Sequence, residues 1–390
     1  MTFISTFILF LTLTAIDAQI NCSHGNCINI RNCPEIISIL RGPRPFPPEK
    51  IRFLRKLQCG FEGNDPKVCC NQTMTITTKQ LESDLSVSQQ QTTTIMTEES
   101  GIDLGPPNVT NHPNLRLLNH SRCGLTSMGL KMFGGEKTRV LEFPWMALLA
   151  YDDVENPNLE FRCGGTIISS RYILTAAHCV TSLQTGLTLA SVRVGEHDIS
   201  KERDCEKDSE GREIFCAEKY QDFGIENVTF HPNYTKEHKQ NDIALIRLNG
   251  TLNFTRLNVK PICLPFKLPT VVPERIILTG WGTTENGTRS SDLLRASLPL
   301  IRNELCKDIY KKVSIVSYKQ LCAGGEAGTD SCKGDSGGPL QAFSRYNIKS
   351  LRVVQHGVVS YGVKNCSLGV PGVYTRVAYY MDWILDSMTD

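Results

Sequence analysis

Three short blocks of the sequence carry side chains that could perform nucleophilic catalysis. They are Leu174-Thr175-Ala176-Ala177-His178-Cys179, Asn241-Asp242-Ile243-Ala244-Leu245 and Gly334-Asp335-Ser336-Gly337-Gly338-Pro339. A serine hydroxyl is a weak nucleophile, so it needs a base to take its proton and a carboxylate to hold that base in the right tautomer. His178, Asp242 and Ser336 supply these groups. Each block alone is also typical of ordinary loops, but the three together predict a serine nucleophile with its base.

Short apolar runs rich in Val, Ile and Leu accompany these blocks and alternate with turn residues. The runs are Trp145–Tyr151, Gly165–Ser169, Ser191–Gly195, Ile243–Leu248, Arg275–Gly280 and Leu351–Tyr361. Many short strands with few helical patterns indicate an all-β sandwich or barrel. One amphipathic stretch, Ala378–Met388, predicts a C-terminal helix.

The start of the chain predicts secretion. Residues 1–16 are almost entirely apolar and contain no Lys, Arg, Asp or Glu, and Asp17-Ala18 follow, so residues 1–18 are predicted to be a signal peptide. This stretch is short for a membrane anchor, and we expect no later membrane span. The net charge of +2 gives no reason to expect nucleic acid or an anionic membrane as a partner. A glycosylated secreted chain would also explain the many Asn-x-Ser/Thr sites, among them Asn108, Asn227, Asn233, Asn253 and Asn286.

The 16 cysteines behind a signal peptide predict an oxidising compartment and a full set of disulfides. A zinc site is the weaker interpretation, because the spacings do not form paired Cys-x-x-Cys units. Residues 22–70 hold Cys22, Cys27, Cys33, Cys59, Cys69 and Cys70. This segment is too small for a generous core, so we expect a disulfide-stapled module whose pairing the sequence leaves open. Residues 71–122 are rich in Thr, Gln, Ser and Asn and predict a flexible linker.

The region from Met132 to Asp390 resembles the chymotrypsin/trypsin family, whose chain order of His, Asp and Ser it shares. The resemblance implies a trypsin-like double β-barrel of six strands each, with the site in the cleft between the barrels. It assigns the oxyanion hole to the backbone N–H groups of Gly334 and Ser336. It also implies a substrate pocket with a carboxylate at its floor, which selects Arg or Lys substrates. The pocket residues that it implies are Asp330 at the floor and Ser360, Gly362 and Gly372 at the walls.

The same resemblance implies that the chain is a zymogen. Cleavage after Lys131 would free the α-amine of Met132, whose ammonium would insert and pair with Asp335. The family usually begins the mature chain with Ile or Val. Met132 departs from that pattern, which puts the efficiency of activation in question.

The cysteine-rich module, which ends in the adjacent pair Cys69-Cys70, resembles the clip domain of arthropod serine proteases. The two resemblances imply the clip pairs Cys22–Cys69, Cys27–Cys59 and Cys33–Cys70, and the protease pairs Cys163–Cys179, Cys306–Cys322 and Cys332–Cys366, with Cys123–Cys263 as the tether after activation. Cys205 and Cys216 remain and are expected to pair. The predicted organisation is therefore a signal peptide (1–18), a clip domain (22–70), a linker (71–122) and a trypsin-like domain (132–390).

The loop that leads to Cys205 is acidic. Clip-domain proteases often bind calcium at this position, and carboxylates with a backbone carbonyl suit Ca²⁺, a hard cation that prefers oxygen. The resemblance therefore implies a structural Ca²⁺ ion, and the alternative is a solvated acidic loop held only by its disulfide. The implied ligands are the carboxylates of Glu196, Asp198 and Asp204 and the carbonyl of Lys201.

A clip domain joined to a trypsin-like zymogen resembles the proteases of arthropod haemolymph cascades, which activate prophenoloxidase for melanisation or process the ligand of the Toll pathway. We therefore expect a secreted, haemolymph-like enzyme with protein substrates cut after Arg or Lys, an upstream activating protease and a serpin inhibitor. A digestive or venom trypsin is an alternative that would seldom need a clip domain and a long linker. A non-catalytic binding cofactor is a second alternative, although such proteins usually lack the serine that Ser336 supplies.

Overall fold

The computed structural model of this 390-residue chain has two compact units, Met1–Glu99 and Ser100–Asp390, and each is described by itself. The structure describes residues 26–33, 36, 57–62, 65–70, 103, 105–126, 136–154, 156–267, 272–283, 288–311, 313–326, 335–346, 351–362 and 369–390. The predicted signal peptide and most of the predicted linker lie outside these residues.

The first unit contains a three-stranded antiparallel sheet in the order β1-β3-β2. Its elements are β1 (Asn26–Asn29), a 3-10 helix (Ile30–Asn32), β2 (Gln58–Glu62) and β3 (Asp65–Cys70). Its buried cluster is very small and includes Ile36 and Val68 together with cystine sulfur. A sheet with so little apolar core needs covalent staples, which the disulfides Cys27–Cys59 and Cys33–Cys70 provide. The remaining expected pair of this unit includes Cys22, which lies outside the described residues.

The second unit is built almost entirely from strands. The strands are β4 (Glu136–Lys137), β5 (Met146–Asp153), β6 (Asn156–Ile167), β7 (Tyr172–Thr175), β8 (Leu187–Val194), β9 (Cys205–Lys207), β10 (Glu213–Cys216), β11 (Gln221–Phe230), β12 (Ala244–Leu248), β13 (Arg275–Gly280), β14 (Leu294–Ile301), β15 (Gln320–Ala323), β16 (Pro339–Arg345), β17 (Leu351–Tyr361) and β18 (Gly372–Arg376). The helices are α1 (Ala177–Thr181), α2 (Asn303–Tyr310) and α3 (Met381–Asp386), with 3-10 helices at Pro113–Leu117 and Val377–Tyr380.

These strands close into two barrels. The first has the order β11-β12-β7-β6-β5-β8, and the second the order β13-β16-β17-β18-β15-β14, closed by the β13–β14 pairing, with β4 added beside β14. Each barrel interior is filled by apolar side chains, such as Leu149 and Ile173 in the first and Ile276 and Leu340 in the second. Closure leaves few free strand edges and a packed core rather than a pore. The predicted all-β, double-barrel fold class is confirmed.

The described residues of the second unit include the disulfides Cys123–Cys263, Cys163–Cys179, Cys205–Cys216 and Cys306–Cys322. The first spans 140 residues of sequence, so it fixes the segment before the predicted activation site to the barrels. The expected pair Cys332–Cys366 lies outside the described residues.

The C-terminal end of the predicted linker is ordered, contrary to the expectation of flexibility across residues 71–122. Val109 and Leu118 are buried in the same core cluster as the C-terminal helix. Between them, the Asn114 side chain donates hydrogen bonds of 2.9 Å to the carbonyls of both Leu385 and Met388. The last carbonyls of a helix lack partners within the helix, so an amide from another segment stabilises it there.

The predicted C-terminal helix over 378–388 begins as the 3-10 turn Val377–Tyr380 and continues as α3. Its buried residues Ile384 and Leu385 pack into the core of the unit. Within the described ranges, no helix is both long and apolar enough to cross a membrane.

His356, buried in β17, gives the fold a predicted acid sensitivity. Its Nε2 lies 2.9 Å from the Ser344 hydroxyl, and burial lowers the pKa of His356 to about 4. The imidazole of the unfolded chain takes up its proton at a higher pH than the buried imidazole of the folded protein. As the pH falls from the unfolded-state pKa to the folded-state pKa, the free energy of unfolding should therefore decrease by about 1.4 kcal/mol per pH unit. Denaturant unfolding at several pH values from 7 to about 4.5 should therefore show a shallower loss in His356→Gln than in the wild type. An equal loss of stability in wild type and His356→Gln would contradict this role of His356. The control is His238→Gln, at an exposed turn, which should behave like wild type.

Candidate active site

His178 is held on a short helix at the end of a buried strand. All four residues of β7 are buried, and the chain turns at Ala176 into α1, which carries His178. Ala176 and Ala177 are fully buried, and such small side chains let the helix begin directly against the barrel. The disulfide between Cys179 and Cys163 of β6 fixes the helix to the barrel wall.

Asp242 lies beside His178 because of strand register. It shortly precedes β12, and β12 pairs with β7 so that Ala244 lies opposite Thr175. The Asp242 side chain has no solvent exposure, and its Oδ2 lies 2.8 Å from the His178 Nδ1. Its Oδ1 accepts a 2.9 Å hydrogen bond from the His178 backbone N–H. The carboxylate therefore holds both the ring and the backbone of His178.

Asp242 also connects the first barrel to the second. Its Oδ2 accepts a 2.5 Å hydrogen bond from the Ser360 hydroxyl of β17, and its backbone carbonyl accepts a 2.7 Å bond from the Thr375 hydroxyl of β18. Burial alone would raise the pKa of Asp242, but the adjacent His178 and the hydrogen bonds that the carboxylate accepts from His178 and Ser360 hold the pKa below its ordinary value. The carboxylate thus stays ionised at neutral pH although it is buried.

Ser336 lies in a loop held between the two barrels. Its carbonyl accepts a 2.8 Å hydrogen bond from the Gly164 N–H of β6, while the next N–H, that of Gly337, donates 2.9 Å to the Val359 carbonyl of β17. Gly337 has a φ of +78°, and a Cβ there would lie 2.2 Å from the Thr175 hydroxyl. Only glycine suits that backbone and that close approach.

These contacts bring the Ser336 backbone to the strands that lead to His178. Gly164 is adjacent to Cys163, which is bonded to Cys179 of α1. Among the described residues, no hydrogen bond joins the Ser336 hydroxyl to the His178 ring; such catalytic bonds are often long before substrate binds.

Asp335 is buried in a cradle that sequence reasoning did not identify. Its Oδ1 accepts a 2.9 Å hydrogen bond from the Gly282 N–H. A Cβ at Gly280 would lie 2.0 Å from this carboxylate, and a Cβ at Gly282 would lie 2.3 Å from it. The two glycines around Trp281 therefore leave the space that Asp335 occupies, and their spacing was the available sequence signal. Lys131 and Met132 lie outside the described residues.

The described part of the expected substrate pocket lies where β17 ends and β18 begins. A Cβ at Gly362 would lie 3.8 Å from the Gly372 Cα, so these glycines face each other and a larger side chain would narrow the space between them. Ser360 is buried and directed to Asp242 rather than to this space. Tyr361, which sequence reasoning passed over, packs edge-on against Tyr310 at 5.7 Å. Asp330 and Gly334 lie outside the described residues.

The four expected calcium ligands do not all converge. Glu196 Oε1 and Asp204 Oδ2 accept hydrogen bonds of 3.0 and 3.1 Å from one N–H, that of His197. Burial, together with a neighbouring carboxylate, raises the pKa of Glu196 to about 7 and also raises that of Asp204. The Asp198 carboxylate instead accepts from Ser200 and contacts the Lys201 ammonium.

Two other groups of metal-ligand side chains occur within the described ranges, one around His178 and one around Glu213. Both contain disulfide-bonded cysteines, and a metal needs the thiolate form of cysteine. Neither group is therefore a candidate for a metal ion.

The geometry suits acyl transfer by a serine. An ionised buried carboxylate fixes the imidazole through Nδ1, so the other ring nitrogen can act as a base. The serine loop is attached to both barrels. No separate nucleophile or metal is needed for this chemistry.

Comparison with known proteins agrees with this geometry. The family model Trypsin matches residues 132–384, and the model Regulatory CLIP domain of proteinases matches residues 20–70. The chain is 36% identical to the CLIP domain-containing serine protease HP8 of Bombyx mori, over 98% of this chain and 96% of that protein. It is 35% identical to the phenoloxidase-activating enzyme 1 of Spodoptera litura, over 94% and 91% of the two chains.

A solved structure gives the same result. The crystal structure of the Drosophila Grass clip serine protease of the Toll pathway superimposes with a TM-score of 0.62 at 34% sequence identity, covering 93% of this chain and 94% of that chain. Both family models thus match in the expected order, and similarity extends over nearly the whole chain. The chain belongs to the clip-domain serine proteases, and it is a serine endopeptidase.

Proposed function

We propose that the protein is the secreted zymogen of a trypsin-like endopeptidase that cleaves proteins after Arg or Lys in an extracellular cascade of innate immunity. The observation that carries the catalytic part is the buried Asp242 carboxylate, which holds His178 from the first barrel and Ser360 from the second. The cascade part is supported by the relatives of this chain, which include a phenoloxidase-activating enzyme and a protease of the Toll pathway.

The proposed reaction has two stages. The Ser336 hydroxyl attacks the substrate carbonyl carbon while His178 Nε2 takes its proton, and Asp242 keeps the ring in the tautomer with the proton on Nδ1. His178 then gives the proton to the leaving amine as the peptide C–N bond breaks. Water, activated by the same base, hydrolyses the resulting ester and releases the acid product. The backbone N–H groups of Gly334 and Ser336 would stabilise the oxyanion, at about 3–4 kcal/mol each.

Substrate choice is assigned to Asp330. A carboxylate at the floor of a narrow pocket attracts a cationic side chain, and Arg can form two parallel hydrogen bonds with it. Gly362 and Gly372 would form its walls, and a Cβ at the first would lie 3.8 Å from the Cα of the second. An Arg or Lys side chain would therefore lie beside Gly362 and Gly372, where β17 ends and β18 begins.

Activation is assigned to cleavage after Lys131. The new ammonium of Met132 would pair with the Asp335 carboxylate, which the Gly280 and Gly282 cradle already accommodates. Burying the Asp335 carboxylate without its cationic partner would cost free energy. The uncut chain, which lacks the Met132 ammonium, would therefore lack an ordered pocket. The activating enzyme would itself cut after Lys or Arg, and a serpin would be the inhibitor of the cut form.

The test is controlled activation of the secreted zymogen. Wild type, Ser336→Ala and Asp330→Ser are treated with a Lys-specific protease and assayed on Arg, Lys and Phe peptide esters. Cut wild type should hydrolyse Arg and Lys esters, and Ser336→Ala should lose at least about a thousandfold of that rate. Asp330→Ser should lose preference for Arg and Lys, because the pocket floor becomes neutral.

Amino-terminal sequencing decides how the outcome is interpreted. A new terminus at Met132 in a disulfide-linked form with activity supports the proposal. Correct cleavage of wild type without any activity would contradict it and would favour a binding cofactor. Activity confined to Phe esters would contradict the assignment of Asp330.

We also propose that Glu196 and Asp204 hold a structural Ca²⁺ ion, with the Lys201 carbonyl as a further ligand. Two buried carboxylates that share one N–H donor, each with a raised pKa, would gain from a divalent cation because it relieves their repulsion. Asp198 could join the set only if Lys201 released its carboxylate. The ion would supply loop stability and no catalytic step.

Calcium should therefore raise the melting temperature of the protein. Saturating Ca²⁺ should raise it by about 5 °C relative to chelator, and Glu196→Gln should remove the shift. Glu213→Gln is the matched control, because Glu213 lies on the neighbouring hairpin, is exposed and pairs with Arg203. Equal melting temperatures in wild type with calcium and with chelator would contradict the proposal.

A further inference from the structure

One Asn-x-Ser/Thr site lies on a turn that borders the cleft. Asn233-Tyr234-Thr235 occupies an exposed turn between β11 and Asp242, and the Asn233 side chain is exposed. His231 Nδ1 accepts the Asn233 backbone N–H at 3.2 Å, which fixes the turn. Within the described part of the chain, the Asn233 side-chain nitrogen has no hydrogen-bond partner, so an attached sugar would displace no contact there.

This turn is attached to the elements that carry the triad. The Asn233 carbonyl accepts a 2.8 Å hydrogen bond from the side chain of Asn241, the residue before Asp242. The next residue, Tyr234, has its hydroxyl 3.5 Å from that of Ser182, at the end of the helix that carries His178. Asn233 is therefore held beside both first-barrel members of the triad.

The same loop reaches the second barrel. The Ser314 hydroxyl donates to the His238 carbonyl at 3.3 Å, and the Gln240 side chain donates to the Ile315 carbonyl at 2.5 Å. Ser314 in turn accepts a 3.1 Å bond from Tyr361, next to the expected substrate pocket. The loop from His231 to Gln240 thus spans the cleft wall, with Asn233 on its exposed side.

A second exposed site provides a contrast. Asn253 accepts hydrogen bonds from the N–H and hydroxyl of Thr255 in its own turn. That turn is anchored through Leu252 to Ser170, which lies before β7, whereas His178 follows the other end of β7. The two sites are thus attached near opposite ends of the same strand.

We propose that Asn233 carries an N-linked glycan at the cleft rim, where it slows the docking of macromolecules while small substrates enter freely. In its formation, the Asn233 amide nitrogen bonds to the anomeric carbon of a lipid-pyrophosphate oligosaccharide; the lipid pyrophosphate leaves, and the nitrogen loses one proton. A bulky hydrophilic group there narrows the approaches open to a protein, whereas a dipeptide ester needs only the pocket. The inference rests on the proposed secretion and endopeptidase activity.

The test compares glycan variants secreted from insect cells and activated at Lys131. Mass spectrometry should find a glycan on Asn233 in wild type and in Thr235→Ser, which retains the site, but none in Asn233→Gln. Asn233→Gln should be inhibited by a Kunitz-type protein inhibitor about threefold faster or more, because orientational constraint limits association of two proteins. Its rate on an Arg peptide ester should equal that of wild type, and Asn253→Gln should match wild type in both assays.

The outcomes separate the parts of this proposal. An unmodified Asn233 in the secreted protein overturns the assignment of the site. A glycan on Asn233 whose removal leaves the inhibition rate unchanged overturns its role at the rim. If Asn233→Gln folds poorly, Thr235→Ala gives the same comparison, because it removes the acceptor site and keeps Asn233. Loss of ester hydrolysis in wild type itself would count against the proposed activity instead.

Discussion

The structure depends on one buried ionised carboxylate, that of Asp242. Burying a charged carboxylate away from water costs free energy unless its oxygen atoms accept hydrogen bonds from protein donors. Here the donors come from both barrels: the ring and backbone of His178 on one side, and Ser360 on the other. The stabilisation of this charge therefore requires one relative orientation of the two barrels. The same orientation creates the cleft between them.

Glycines provide the second constraint, at the loop that carries Ser336. This loop must lie close to β6 and β7 of one barrel and β17 of the other, and a side chain at Gly337 would collide with Thr175. The neighbouring Asp335 enters a cradle that exists because Gly280 and Gly282 lack side chains. Ordering this loop is thus coupled to the burial of a second carboxylate, which supports the proposed activation by a new amino terminus.

The sequence predicts well whatever depends on local pattern. The apolar runs correspond to strands of the two barrels, and His178, Asp242 and Ser336 stand out because hydrolytic chemistry needs those residue types within recognisable blocks. The sequence predicts poorly whatever depends on contacts between distant segments. The hydrogen bond from Ser360 to Asp242 joins residues 118 positions apart in the sequence. The bond from Gly282 to Asp335 in the glycine cradle joins residues 53 positions apart. Composition likewise indicated flexibility up to residue 122, because it does not register the burial of Val109 and Leu118 or the Asn114 hydrogen bonds that anchor this polar segment.

The most direct test of this account is the substitution Asp242→Asn in the activated enzyme. The asparagine keeps the size of the side chain but removes the charge and permits the wrong His178 tautomer. We expect a folded protein whose kcat on an Arg ester is about ten-thousandfold lower at neutral pH. A folded variant that retains activity within about tenfold of wild type would contradict the claim that this buried carboxylate organises the site.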